Sequence, residues 1–261
     1  MSSRPPLTSD DSADHMPRAR GVRLDARELR KAFDGRSVVE DVSFFVGQSE
    51  VVGLLGPNGA GKTTSFYMTV GLLKPDSGTV SLGGADITQL PIHLRARKGI
   101  GYLPQNASVF RKLTVENNLI AAMEIWGTPR NQRKDLTETL LQNFGIAHLR
   151  KTLGLSLSGG ERRRLEIARA LVTNPCFLLL DEPFAGIDPV TVDEIQQIIR
   201  RLVTEENIGV LITDHNVRET LSICSRAYIL AGGQIIAEGE PGVVANLEIV
   251  RQVYLGENFA Y

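Results

Sequence analysis

The chain has 261 residues, 42% hydrophobic and 23% charged, the proportions of a folded globular protein rather than a disordered or collagen-like one. Its 29 basic and 30 acidic residues leave a net charge of −1, with no electrostatic footprint for nucleic acid. The longest apolar runs, such as Phe177 to Leu180, fall far short of the roughly 20 residues a membrane helix needs. Cys176 and Cys224 are too few for a disulfide framework, which points to a reducing cytoplasm.

Residues 1–20 hold Pro5, Pro6, Pro17 and several serines but no hydrophobic run. They read as a solvated tail without a secretory signal, with Met16 an alternative start. Val38-Val39, Val42 to Val46 and Val51 to Leu55 read as short strands. A glycine-rich turn follows at Gly56 to Gly61, then a helix to about Leu73. Pro75 and Gly78 mark a turn before a strand over Thr79 to Leu82. Val115, Leu119, Ile120, Met123 and Trp126 recur at helical spacing, as do Leu136, Leu140, Leu141 and Phe144, with Gly127 to Pro129 between them. Residues from about 105 to 160 are therefore expected to form an inserted helical subdomain. Cys176 to Asp181 and Ile208 to Thr213 read as buried strands flanking a helix with Ile195, Ile198, Ile199 and Leu202 on one face. That βαβ unit implies a parallel sheet. Gly232-Gly233 between Tyr228–Leu230 and Gln234–Ala237 signals a hairpin.

Three segments carry chemistry. Gly56-Pro57-Asn58-Gly59-Ala60-Gly61-Lys62-Thr63 fits G-x-x-x-x-G-K-[ST] between a strand and a helix, the setting of a phosphate-binding loop. Its backbone N–H groups and the helix N-terminus would hold phosphates, with Thr64 next in line. Lys62 would reach the β- and γ-phosphates and the Thr63 hydroxyl would sit on Mg²⁺. The strand Phe177 to Leu180 delivers Asp181 and Glu182 at its C-terminal end, where open α/β sheets bind ligands. Asp181 suits Mg²⁺, and Glu182 suits an attacking water. Ser158 and Glu161 are spaced as a capping box for a helix through Leu171, with Gly159 and Gly160 leaving its N-terminus bare. Because the phosphate loop already serves one nucleotide, that second anion site points to a neighbouring copy. Arg162-Arg163-Arg164 reads as a solvated helix face with salt bridges. His93 and His148 read as surface or helix-end residues.

The phosphate loop, Gln105, LSGGE at 157–161, LLLDEP at 178–183, Gly186-Ile187-Asp188 and His215 occur in an order that resembles an ABC-type nucleotide-binding domain over roughly 22–240. The resemblance implies an α/β P-loop NTPase with a mixed sheet core, an antiparallel β subdomain and the inserted helical subdomain. It implies a nucleotide-binding domain over 21–245 and a C-terminal extension over 246–261. It further implies ATP and Mg²⁺ as ligands and a head-to-tail homodimer sandwiching two ATP molecules. In such a dimer Phe33 stacks on adenine, standing where Tyr is common. Gln105 senses Mg²⁺ and the γ-phosphate, and His215 contacts the γ-phosphate. Ser158 and Gly160, beside Gly159, contact the γ-phosphate held by the partner, and Asp188 lies at the dimer junction. Glu161 stands where many members have Gln.

Longer stretches, including RARKGIGYLPQNASVFRKLTVENNL at 95–119, DEPFAGIDPVTVDEI at 181–195 and VYLGENF at 253–259, resemble the ATPase subunits of lipopolysaccharide-export transporters of Gram-negative bacteria. ATPases of branched-chain amino acid importers are the nearest lookalikes, but generally lack the extension after Tyr-Leu-Gly. A non-transport ABC ATPase would carry two motif sets or a long coiled coil, and a GTPase would need NKxD. The reading therefore implies integral-membrane partner subunits and a peripheral position on the cytoplasmic face of the inner membrane. Val109 and Phe110, followed by Arg111 and Lys112, form an apolar pair rimmed by cations beside Gln105. They are the expected seat of a helix from the membrane partner, with Thr114 capping the helix that follows.

Overall fold

The computed structural model describes residues 21–256 and 259. The expected tail over 1–20 lies outside the described residues, as do Glu257, Asn258, Ala260 and Tyr261 of the extension.

Strands β1 (Arg23–Phe33) and β2 (Arg36–Gly47) pair antiparallel around a turn at Asp34-Gly35. The runs expected as two strands, Val38-Val39 and Val42 to Val46, are one. Val39 pairs with Lys31 and Val42 with Leu29, so a bulge at Glu40-Asp41 breaks the alternation without breaking the strand. After β3 (Val51–Leu55) comes α1 (Lys62–Val70), shorter than the expected stretch to Leu73. Gly71 turns left-handed at φ 89° and donates its N–H to the Tyr67 carbonyl, ending the helix. Strands β4 (Ser77–Leu82) and β5 (Ala85–Asp86) extend the antiparallel sheet. Gly78, expected in the turn, lies inside β4 against the Glu28 backbone.

Helix α2 (Ile92–Arg97) leads to β6 (Ile100–Leu103), and α3 (Val115–Trp126), α4 (Arg130–Asn143) and α5 (Gly159–Leu171) follow. Thr114 caps α3 by accepting the Asn117 N–H, and Gly127 ends it, as the sequence predicts. Next come β7 (Phe177–Asp181), α6 (Pro189–Thr204) and β8 (Gly209–Thr213), with β7 and β8 parallel. After α7 (Val217–Leu221), β9 (Arg226–Ala231) and β10 (Gln234–Gly239) form the expected hairpin, with Gly232 and Gly233 both at positive φ. Helices α8 (Pro241–Val244) and α9 (Glu248–Val250) and a π-helical turn over Arg251–Leu255 complete the described chain.

Among the described residues the ten strands run β5-β4-β1-β2-β10-β9-β3-β8-β7-β6, the last five pairing in parallel. The antiparallel part joins the rest through one parallel bridge, Gln234 to Asp41. Side chains alternate along β7. Leu178 and Leu180 enter the core shared with α3 to α6, while Phe177 and Leu179 enter the core around α1 and the antiparallel strands. Both faces are covered, which explains why β7 reads as an unbroken apolar run. No described helix is long and apolar enough to cross a membrane.

Candidate nucleotide site

The loop from Gly56 to Gly61 leaves the end of β3 and enters α1 with no acidic residue in its first turn. Gly56, at φ 147°, packs so tightly on β9 that a Cβ would stand 2.1 Å from the Leu230 carbonyl oxygen. Gly61 caps α1 at φ 95°. These two positions admit only glycine, and the first-turn N–H groups stay bare for an anion. The β9–β10 hairpin backs the loop. Gly233 donates its N–H to the Ala60 carbonyl at 3.2 Å and accepts the Glu40 N–H at 2.9 Å. Lys62 Nζ curls over the loop, donating to the carbonyls of Gly56 at 2.7 Å and Pro57 at 2.9 Å. Burial lowers the Lys62 pKa from its usual value, with Glu182 opposing.

Strand β7 sets Asp181 beside Thr213 of β8. Asp181 is 2% exposed, its Oδ2 has no partner, and burial raises its pKa above the usual carboxylate range. An orphaned, buried carboxylate oxygen with the Thr63 hydroxyl and the Gln105 amide is a hard-oxygen set that fits Mg²⁺. Glu182 takes a left-handed φ of 47° as the chain leaves the strand, and donates its N–H to the Thr213 carbonyl at 2.7 Å. Gln105 Nε2 donates to Glu182 Oε2 at 2.7 Å, and His215 Nδ1 lies 3.3 Å from the same oxygen. Three residues expected from separate motifs thus meet at one carboxylate.

Asp214 is a member the sequence reading missed. It is buried, its carboxylate accepts the N–H groups of Phe184 and Asn216 at 2.9 Å each, and its Oδ1 lies 3.5 Å from His215 Nδ1. Burial raises its pKa, with both backbone bonds opposing. Thr213, the last residue of β8, pairs with Asp181, so Asp214 follows β8 where Glu182 follows β7, a pairing that the sequence alone does not display.

At the other end, Ser158 caps α5 in a complete capping box with Glu161, as expected. Its backbone N–H donates to Glu161 at 2.8 Å, and the Glu161 carboxyl is held below its usual pKa by that bond. Gly160 is buried, and a Cβ there would stand 2.2 Å from Thr191 Cγ2. Its bareness therefore serves the packing of α5 on α6, while Gly159 has more room. Asp188 caps α6, accepting the Thr191 N–H at 3.0 Å and the Thr191 hydroxyl at 2.6 Å. Phe33, at the end of β1, is 45% exposed, with Lys31 Nζ 5.6 Å from its ring centre.

The arginine triplet departs from the expected solvated face. Arg163 is buried and donates to the carbonyls of Pro104, Asp181, Glu182 and Pro183 and to Glu166. Glu166 in turn accepts the Ser108 N–H at 2.7 Å. The available signal was helical phase, because Arg163 lies three residues after Gly160 and four before Ile167, both buried. Arg164 pairs as expected, with Glu194. The apolar pair also divides: Val109 is buried in the core beside α3, whereas Phe110 is 38% exposed under Arg169, 4.5 Å from its ring centre. His93 and His148 are exposed, as expected.

Residues 39–185 match the ABC transporter family. The chain is 58% identical over 238 residues to the lipopolysaccharide export system ATP-binding protein LptB of Haemophilus influenzae, covering 90% of this chain and 98% of that one. The Escherichia coli K12 protein of the same description is 56% identical over 237 residues, with the same coverage. A probable ABC transporter ATP-binding protein of Azorhizobium caulinodans is 54% identical over 94% of this chain and 87% of its own. Among solved structures, the ADP conformation of MJ1267, an ATP-binding cassette of an ABC transporter, superposes with a TM-score of 0.81 at 29% identity, covering 92% of this chain and 100% of that one. A phosphate loop at the end of a parallel strand, a carboxylate pair at the end of β7 in the same parallel sheet and these likenesses agree: the chain belongs to the ABC transporter family, as one of its ATP-hydrolysing subunits.

Proposed function

We propose that this chain is the ATP-hydrolysing motor of a lipopolysaccharide export transporter, docked as a homodimer on integral-membrane subunits at the cytoplasmic face of the inner membrane. The observation that carries hydrolysis is the convergence of Gln105 and His215 on Oε2 of Glu182. The cargo rests on the identity of 56–58% to lipopolysaccharide export ATP-binding proteins along 98% of their length.

The loop from Gly56 to Thr64, through the backbone N–H groups of its residues other than Pro57, and the Lys62 ammonium bind the phosphates, and Phe33 stacks on the base. Thr63, Asp181 and Gln105 would hold Mg²⁺, whose charge would offset that of the phosphates when it is bound with ATP. Glu182 accepts the proton of the water that attacks the γ-phosphorus, while His215 and Gln105 hold the carboxylate in line. The bare end of α5, at Ser158, Gly159 and Gly160, closes over the nucleotide of the second copy, and Asp188 meets that copy at the junction. The nucleotide-binding domain spans 21–245, with its helical subdomain at about 105–160 and a C-terminal extension over 246–261. Phe110 and Arg111 receive a helix of the membrane subunits.

Glu182→Gln is the direct test. It should bind ATP as the parent does, lose turnover by about 10²–10⁴-fold, and still copurify with its membrane subunits, identified by mass. Lys62→Ala should lose ATP binding instead. Full turnover by Glu182→Gln removes it as the base. Copurification with amino acid importer subunits overturns the cargo.

A further inference from the structure

Phe33 lies outside the three apolar clusters formed by the described residues, so packing in a core does not direct its ring. It ends β1, 45% exposed, before a two-residue turn in which Asp34 and Gly35 both take positive φ. On one side β2 holds it, Phe33 pairing with Arg36. On the other side the ladder to β4 stops short. Its last pair is Arg30 with Ser77, where Asp76 donates its N–H to the Arg30 carbonyl at 2.9 Å. Pro75, next in line, has no N–H with which to extend it. The Asp76 side chain takes the strand's place. Its Oδ2 accepts the Ala32 N–H at 2.8 Å, and its Oδ1 accepts from Lys31 Nζ at 2.6 Å. Lys31 and Phe33, two residues apart on one strand, share a face, and Lys31 Nζ stands over the Phe33 ring, 5.6 Å from its centre. One carboxylate thus holds both the backbone before Phe33 and the cation that covers one side of its ring.

This end of the hairpin abuts the phosphate loop. Lys31 pairs with Val39 and Ala32 with Ser37, which leaves Val38 as the extra residue of a bulge. The Val38 carbonyl faces the start of α1, where a Cβ on Gly61 would stand 2.8 Å from its oxygen. The Asp76 side chain is 49% exposed, and an ion pair so open to water adds little to stability. Ordering a recognition residue before its ligand arrives is a different gain, because rotamer freedom already spent is not lost again on binding. We propose that Asp76 is a positioning residue for the base: through Ala32 and Lys31 it fixes the Phe33 ring, so that the face away from Lys31 is presented to the adenine of ATP. The proposal rests on the reading of Phe33 as the stacking residue, and the experiment separates the two.

The purified full-length chain and its Asp76→Ala, Asp76→Asn, Phe33→Ala and Phe33→Ala/Asp76→Ala variants are titrated by calorimetry in EDTA. The ligands are ATP and, separately, inorganic triphosphate, which has no base. Phe33→Ala should weaken ATP binding by about 5–150-fold, the range for a base stacked on an aromatic side chain, and leave triphosphate binding as in the parent. Asp76→Ala should lose about fivefold for ATP, the lower end of that range, again with triphosphate unchanged. Asp76→Asn keeps an acceptor for the Ala32 N–H and should lose less, with the same split between the two ligands. Because Asp76 acts through Phe33, Asp76→Ala should cost nothing more in the Phe33→Ala background. Losses that multiply in the double variant, or equal losses for ATP and triphosphate in Asp76→Ala, overturn the positioning role. Parental ATP affinity in Asp76→Ala, with Phe33→Ala impaired, overturns it too and leaves the stacking reading standing. Parental ATP affinity in Phe33→Ala overturns that reading and the proposal with it.

Discussion

Phe110 is held by its backbone and offered by its side chain. Its N–H donates to Asn118 Oδ1 at 2.8 Å, and its carbonyl accepts from Asn118 Nδ2 at 3.1 Å, so the buried Asn118 pins the residue while its ring stands under Arg169 at the surface. Truncating a core phenylalanine costs about 3–5 kcal/mol, but this ring has mainly a cation–π contact to lose, roughly 0.5–1 kcal/mol. Phe110→Ala should therefore melt close to the parent while losing its hold on the membrane subunits in copurification. Val109→Ala should do the reverse, losing about 2 kcal/mol in urea unfolding while keeping that hold. In sequence the two residues were one apolar pair. Only the packing of Val109 under α3 separates them, because two neighbouring apolar residues in a loop carry no period from which burial can be read.

Helix α5 starts where two charges are managed by one residue. The Glu161 carboxylate accepts the Ser158 N–H in the first turn, where negative charge also suits the helix dipole. Because this bond lowers the folded-state pKa, the stabilisation is complete above the unfolded glutamate value and is lost as pH falls through the lower folded value. Urea unfolding from pH 7 to pH 3 should show that acid loss in the parent and a flatter limb in Glu161→Gln, which keeps an acceptor that does not titrate. Ser158→Ala should cost about 1 kcal/mol at neutral pH. Elements with a strong local signature were legible in this way: the capping box, the Thr114 cap, the diglycine hairpin and the unbroken apolar run of β7. Strand β1 went unread because its eleven residues mix six charged side chains with its apolar ones. The long β2 read as two because one bulge shifts the alternation.

Across the whole molecule, Arg163 ties three segments that are distant in sequence. From α5 it reaches Pro104, next to Gln105, and the Asp181 and Glu182 carbonyls at the end of β7. Its guanidinium is the one side chain with enough fixed donors for that many acceptors. Burial lowers its pKa, with Glu166 opposing, yet it stays charged. Arg163→Lys keeps a charge but leaves carbonyls unsatisfied, and should cost about 1–3 kcal/mol. Nucleotide binding should persist and single-turnover hydrolysis should fall, because Gln105 and Glu182 lose their common anchor. Sequence motifs name the residues that touch ligand. The buried side chains that hold them in register come from other segments and become visible only when those segments are packed together. The same packing changes what kind of editing the chain tolerates. A diglycine hairpin tip is ordinarily where a tag, a reporter or new chain termini can be spliced in without harm. Here Gly233 is buried, bonded to Ala60 on one side and Glu40 on the other. A library of peptide insertions along the whole chain should find the Gly232-Gly233 turn closed and the Gly127–Pro129 turn open, since Gly127 has clear space around it.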